Sequence, residues 1–490
     1  MRVLITLHRW WGVAFCLLFT AWFASGIVMH FVPFPARIGV DRLAGWVVID
    51  RDKVRQGPSE AVAASGIQDV SRVRLAGRRD GPVYLISGAS AARVLRAADL
   101  GDGGVRSERT ALDIAIACAR LRGLDTAHAG AAEQISYDQW TVSGEFDSDR
   151  PLYRVPLNDQ SGTELYVSST TGGVVLVTTR NARALNYFGS VLHWLYPATL
   201  RHHEWAWSRL MWWLSLVATI GATLGVIIGL LRLSRASRRM SPAYRGLQAW
   251  HHRLGLAFAP FILGWIFSGF LSMDDGSLFS TGAAPADALM LAGKPAWDRL
   301  PPDVMHRAPA AAIEIEWFAF SGQIYRRDRD ALEERRLSQA APETNMTARP
   351  RALLREDEID SAAKLLGRNC DHASAIGADD AYLAKPALPE APVFRIVCGS
   401  TWYEIDGASG ALLDRLDSSR RAYRWLFGGL HTLDFPPLRS LPWLRTIAIV
   451  AFCAGGLAFS LTGAVLAWRR LRASVGDPFE DNGAPRGRAP

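Results

Sequence analysis

The sequence predicts an α-helical membrane protein with α+β domains outside the bilayer. It has four transmembrane helices in two repeated hairpins, each hairpin carrying a large insert. Three observations predict this. Trp10–Met29 contains no charged residue, and a helix of about twenty residues rising about 1.5 Å each crosses a bilayer core of about 30 Å. The stretch also has a copy: Gly12-Val13-Ala14-Phe15, Trp22 and Ser25-Gly26 recur at an offset of 243 as Gly255-Leu256-Ala257-Phe258, Trp265 and Ser268-Gly269. A second register, at an offset of 238, carries Thr171-Gly172 to Ser409-Gly410, His193 to His431, Leu200-Arg201 to Leu438-Arg439, Trp205 to Trp443, Gly225 to Gly463 and Arg232 to Arg470. Repeats of this kind mark membrane proteins with pseudo-twofold architecture.

Residues 1–30 form the first membrane helix. A cleavable leader is the rival reading, but the run is too long for one and its copy lies in mid-chain. Residues 31–183 form the first outer segment. Val83–Ile86, Ser136–Val142 and Leu152–Val155 read as strands. Ala111–Leu121 reads as a helix, with Leu112, Ala115, Ile116 and Ala119 on one face, and Leu165–Val177 as a hairpin turning at Thr171-Gly172-Gly173. Residues 184–204 form a connector, where Leu192, Leu195 and Tyr196 with His193 predict an amphipathic helix on the membrane, stopped by Pro197.

Residues 205–232 are the second span, 233–250 a basic loop and 251–273 the third span. Residues 274–418 form the second outer segment. It has strands at Gly322–Tyr325, Val393–Val397 and Thr401–Ile405, a helix at Ile359–Leu366, and a solvated loop or helix at Arg326–Arg336. Residues 419–442 form the second connector, 443–470 the fourth span, and 471–490 a polar tail rich in Gly and Pro, expected to be disordered.

The net charge of +8 does not point to nucleic acid, because the arginines cluster just outside apolar spans. Arg232, Arg235, Arg238, Arg239, Arg245 and Arg253 crowd one loop, and Arg469, Arg470 and Arg472 follow the last span. By the positive-inside rule both termini are cytoplasmic, and the large segments lie in the periplasm of a bacterial inner-membrane protein. The 18 tryptophans suit an interfacial belt against lipid. Among the five cysteines there is no C-x-x-C and no C-x-x-C-H for covalent haem attachment. Cys16 and Cys453 lie in spans. Cys370 and Cys398 share the second outer segment, where spacing leaves a disulfide open.

Eight of the eleven histidines lie at membrane ends or connectors. His8, His251 and His252 fall on the cytoplasmic side, and His30, His193, His202, His203 and His431 on the periplasmic side. Ionisable groups there are costly and tend to be functional. Imidazole is a common axial ligand of haem, and helix bundles hold cofactors between facing helices. Each face thus has ligands for one bis-histidine haem b, two non-covalent haems in all. For the inner one the repeat sets His251 opposite His8, whereas the His-Arg dipeptide sets His252 there; the expected iron ligands are His8 and His252 inside and His193 and His431 outside. The outer candidates are His30, His193 and His431. The last two are repeat mates, and His30 falls opposite Met273. His202, His203, His306 and His372 read as anchors or surface residues. Zinc would need about four convergent ligands, and no H-E-x-x-H occurs. Gly221, Gly225, Gly229, Gly455, Gly456 and Gly463 read first as helix-packing residues.

The chain resembles the PepSY-associated transmembrane proteins. The resemblance rests on His8-Arg9-Trp10-Trp11-Gly12 and His252-Arg253-Leu254-Gly255, on Tyr403-Glu404-Ile405-Asp406-Gly407-Ala408-Ser409-Gly410-Ala411-Leu412-Leu413, and on Leu192-His193 and Leu430-His431. It covers nearly the whole chain. It implies PepSY-like inserts, and it implies kinship with dihaem inner-membrane reductases of ferric siderophores. No G-x-G-x-x-G follows a strand, so a fused flavin or nucleotide domain is not expected.

Two function classes follow. One is a haem-b electron-transfer protein that reduces a periplasmic ferric siderophore, electrons passing between haems at the two faces from a quinol or a cytoplasmic reductase. The other is a non-catalytic membrane module that binds peptide or a partner protein and regulates a protease. A transporter fits less well, because the spans are expected to carry neither a buried acid nor a broken helix to mark a substrate path.

Overall fold

The computed structural model of the chain describes residues 2–38, 46–89, 91–239, 244–273, 278–300, 308–330, 341–342, 353–367, 369–377, 379–383 and 391–475. His306, residues 331–336 and the tail from residue 476 lie outside them.

The membrane part is built from α1 (Arg2–Phe31), α3 (Glu204–Arg239), the pair α4 (Gly246–Ala257) and α5 (Ala259–Ser272), and α7 (Pro442–Val475). Among the described residues three helices are long and apolar enough to cross a membrane, not the expected four. The third expected span is the bent pair, α4 and α5 meeting at 67°. Pro260 is the cause. It lacks an N–H and its ring crowds the carbonyl of Leu256, so the helix restarts after Phe258. The repeat sets Leu17 opposite Pro260, and α1 runs through unbroken. The halves interlock: α1 packs along α7, and α3 along α5.

Among the described residues three sheets lie outside the helices. β1 (Val70–Ala76), β2 (Val83–Gly88) and β3 (Ala92–Arg96) come from the first insert. β8 (Ala312–Phe320), β9 (Gln323–Asp330) and β10 (Ala341–Pro342) come from the second. Together they form one six-stranded sheet in the order β10-β9-β8-β1-β2-β3. Its centre is the antiparallel pair β1–β8, with Arg74 opposite Glu316 and Ala76 opposite Glu314. One face is apolar, with Val73, Leu75, Ile315 and Trp317 buried together. The other carries charge: Arg74 binds Glu314 at 2.6 Å, and Glu316 lies between Arg72 and Arg327. The two inserts are therefore stitched together by main-chain bonds and buried ion pairs. This overturns the solvated reading of Arg326–Asp330, which is strand β9 with Arg326, Arg327 and Arg329 buried.

Each insert adds a four-stranded sheet: β4 (Glu133–Ile135), β5 (Leu152–Pro156), β6 (Glu164–Ser168) and β7 (Val174–Thr178) in the first, and β11 (Ser374–Ile376), β12 (Val393–Cys398), β13 (Thr401–Asp406) and β14 (Leu412–Leu416) in the second. The first is covered by α2 (Glu108–Leu121). Ser107 caps α2 by accepting from the Thr110 N–H at 3.1 Å, and Ala111, Ile114, Ala115 and Cys118 form its buried stripe. The second is covered by α6 (Glu356–Leu366) through Ile359, Ala362 and Ala363. A disulfide joins Cys370 to Cys398. The strand expected at Ser136–Val142 is a turn centred on Asp138, whose carboxylate accepts from the N–H groups of Trp140 and Thr141.

Candidate functional site: two histidine pairs in the helix bundle

Both connectors fold back against the bundle through a widened, π-type helical turn, Tyr187–Val191 in the first and Arg424–Gly429 in the second. Such turns often mark functional positions. Each delivers one histidine. His193 Nδ1 lies 2.9 Å from Ser25 Oγ on α1, and His431 Nδ1 lies 3.1 Å from Ser268 Oγ on α5. Each serine oxygen also lies 3.1 Å from a helix carbonyl, Ser25 from Trp22 and Ser268 from Trp265. With the hydroxyl proton donated to that carbonyl, the serine oxygen accepts from Nδ1–H, and Nε2 is the nitrogen with the lone pair. Among the described residues nothing hydrogen-bonds either Nε2.

The rings of His193 and His431 are 6.2 Å apart, centroid to centroid, and inclined at 77°. A metal–imidazole bond is about 2 Å, and the ring centre lies about 1.1 Å behind the nitrogen, so two imidazoles on opposite sides of one metal ion have centroids about 6.3 Å apart. A tetrahedral ion would draw them to about 5.1 Å. The observed spacing matches the linear arrangement. Among the described residues no group of three or more His, Cys, Asp or Glu converges, which a closed zinc site requires.

The second pair lies at the other end of the bundle. His8 on α1 and His251 on α4 line one largely apolar cavity of about 670 Å³, together with Gly12, Gly221, Gly225 and Gly463. That volume is ordinary for a cofactor site. His251 repeats the same device: its Nδ1 lies 2.9 Å from Thr462 Oγ1, and that hydroxyl donates to the Phe459 carbonyl at 2.6 Å. His8 Nδ1 and Trp11 Nε1 are buried without a partner. An orphaned donor such as Trp11 Nε1 on the wall of an apolar cavity suits a bound ligand.

The model of the PepSY-associated TM region matches residues 5–470. The chain belongs to this family. No curated protein matches it.

In this PepSY-associated membrane protein two sets stand out among the glycines of the spans. A Cβ on Gly26, Gly225, Gly269 or Gly463 would meet an imidazole, that of His193, His8, His431 or His251 in turn, at 2.7–4.0 Å. Gly229, Gly455 and Gly456 meet Leu256, Phe258 and Phe23, and Gly221 meets Trp11. The second set is helix packing, as expected for small residues. In the first, Gly225 and Gly463 make room for His8 and His251, where a Cβ would approach to 2.7 and 3.3 Å, while Gly26 and Gly269 stand at ordinary contact distance from their imidazoles.

An aromatic column runs along α1 between the two pairs. Trp11 stacks on Phe15 at 4.8 Å, Phe15 lies 6.3 Å from Phe19, and Phe19 lies 5.9 Å from Trp22. The column lines the helix between His8 and Ser25, seventeen residue steps or about 25 Å.

The remaining predicted residues of the PepSY-associated chain lie elsewhere. His30 Nε2 pairs with Thr446 Oγ1 at 2.9 Å, between α1 and α7. His252 lines the inner cavity but donates its Nε2–H to the Gly229 carbonyl at 3.0 Å. His202 stacks on Tyr137 at 4.3 Å and is exposed, as is His203. His372 pairs with Asp360 at 2.8 Å, and that carboxylate raises its pKa. Ser25, Ser268 and Thr462 are the histidine partners that sequence reasoning missed. Ser25-Gly26 and Ser268-Gly269 recur in the repeat, which is the signal for the two serines; Thr462 has none, since its repeat position is Leu224.

Proposed function

We propose that this chain is an inner-membrane haem-b protein that carries electrons to a ferric siderophore on the periplasmic side. The observation that carries this reading is the His193–His431 pair: two imidazoles 6.2 Å apart, each with Nδ1 tied to a serine and Nε2 left as a lone pair. In this reading His193 and His431 hold one haem, and His8 and His251 hold another. Bound there, haem supplies one-electron redox chemistry. The chain orients the ligating nitrogens through Ser25, Ser268 and Thr462, clears space with glycine, and lines the helix between the pairs with its aromatic column. A siderophore binds Fe(III) through hard oxygen donors. One electron gives Fe(II), which those donors hold less tightly, and the iron is released.

The topology of this reading has both termini in the cytoplasm and both inserts in the periplasm. The arginines beyond α3 and α7 support it, as does the Cys370–Cys398 disulfide, which needs an oxidising compartment. Electrons then enter on the inner side, from a quinol or a cytoplasmic reductase.

The test is a reduced-minus-oxidised visible spectrum of the detergent-purified protein with a haem-to-protein ratio. Low-spin b-type bands at about two haems per chain are expected, one for each histidine pair. A protein that stays colourless with added haemin overturns the reading and leaves a peptide- or partner-binding membrane module.

A further inference from the structure

The four histidines of the two pairs stand over four copies of one helical dipeptide. His193 stands over Ser25-Gly26, His431 over Ser268-Gly269 and His251 over Thr462-Gly463. His8 stands over Leu224-Gly225, with Gly225 directly beneath its ring. The repeat maps Gly225 onto Gly463 and therefore Leu224 onto Thr462. Three imidazoles thus have a hydroxyl at 2.9–3.1 Å on Nδ1, and at the fourth the repeat puts a leucine in the hydroxyl's sequence position. The Gly221 carbonyl lies near His8, in the place that the Phe459 carbonyl holds for His251, yet His8 Nδ1 makes no hydrogen bond.

An acceptor on the far nitrogen of a ligating histidine fixes the ring's rotation and tautomer and makes the near nitrogen a better donor. Its loss typically costs about 10–100-fold in metal affinity. His8 lacks the hydroxyl partner that its three equivalents have. It also lines an open cavity, so an incoming ligand has a path.

We propose that His8 is the displaceable ligand of this protein: the inner site exchanges it for a small σ-donor ligand, whereas the outer site stays closed. This rests on the haem reading above. In the exchange the bond from His8 Nε2 to iron breaks, and the lone pair of the incoming ligand makes the new one. His8 leaves as neutral imidazole, and no electron moves. The asymmetry sets the two ends of the bundle apart: the outer end is fixed as a pure electron carrier, and the inner end is one whose electronic state a small molecule can change.

The experiment is a titration of the purified, haem-loaded full chain with cyanide when oxidised and carbon monoxide when reduced, followed by visible spectroscopy. About half of the haem should respond. Leu224→Thr supplies the missing hydroxyl and should weaken ligand binding by about 10-fold or more. Leu224→Val, with the shape of threonine and no hydroxyl, should behave as the parent. A dihaem protein closed at both sites, one open equally at both, or Thr and Val variants that behave alike would each overturn this inference and leave the haem reading intact. A chain without haem overturns that reading first.

Discussion

The indole N–H of Trp22 donates to the carbonyl of His193 at 2.9 Å, while Trp265, its counterpart in the repeat, buries its indole N–H with no acceptor. The two halves share a sequence pattern and differ in how the connector is tied down. Trp22→Phe removes a bond and strands a buried carbonyl, at a cost of about 1 kcal/mol. Trp265→Phe removes a donor that is already unsatisfied, and should be neutral or slightly stabilising. Thermal unfolding of the two purified variants checks this; equal losses would show that the Trp22 bond does not hold His193 in place.

The histidine pairs predict which substitutions remove which haem. His193→Ala and His431→Ala should each lower the haem content from about two to about one per chain, and so should His8→Ala and His251→Ala at the other end. His30→Ala and His252→Ala should leave it unchanged, because Thr446 and the Gly229 carbonyl already engage those rings. Ser25→Ala should keep the haem and weaken its retention by about 10-fold. A pyridine haemochrome assay reads all of these. Loss of haem in His252→Ala would move the inner ligand to that residue.

Glu316 predicts a pH dependence for the shared sheet. It is fully buried, which alone would raise its carboxyl pKa, but Arg327, Arg72, Arg329 and Arg74 outweigh that and hold it well below the ordinary value. A group with a depressed folded pKa contributes stability that is present above its unfolded pKa, about 4.3 for Glu, and is lost as pH falls through the folded value. Stability of the inserts should therefore stay level down to about pH 5 and fall below about pH 4. Glu316→Gln should lower stability at neutral pH, because it leaves buried arginines uncompensated, and should blunt the acid loss. Hydrogen exchange in β8 measures both. An unchanged acid transition in the variant would assign the loss to other carboxylates.

The repeat was legible because it is written in unusual residues: Trp22, Ser25-Gly26 and His193 recur at fixed offsets, and span ends follow from charge alone. The shared sheet was not legible. Arg72, Arg74, Glu314, Glu316 and Arg327 look like solvent-facing charge until the strands meet, and the partner of Arg74 lies 240 residues away. A buried charge is recognisable only with its counter-ion, and no local window contains both. The bend of α4 and α5 was legible in principle, since Pro260 stands in mid-span; the apolar run hid it. Which histidine faces which could be narrowed to repeat mates. The proposed choice of His251 over His252 rests on the Thr462 hydroxyl and the Gly229 carbonyl, contacts that depend on helix rotation.

The Cys370–Cys398 disulfide ties the loop after α6 to the end of β12, and it gives a test of sidedness as well as stability. It closes a loop with a sequence separation of 28, and loop-closure entropy for that length stabilises the fold by about 3–4 kcal/mol. Cys370→Ala with Cys398→Ala should therefore lower the melting temperature of the second insert, seen as loosened exchange protection in β12 and α6, while the haem content is unchanged. In intact cells a thiol reagent that does not cross the inner membrane should label neither cysteine until a reductant is added, and then both. Cys16, Cys118 and Cys453 are buried free thiols and should stay unlabelled in folded protein. Labelling of Cys370 and Cys398 without reductant would mean that the second insert faces a reducing compartment, and the proposed orientation would be reversed.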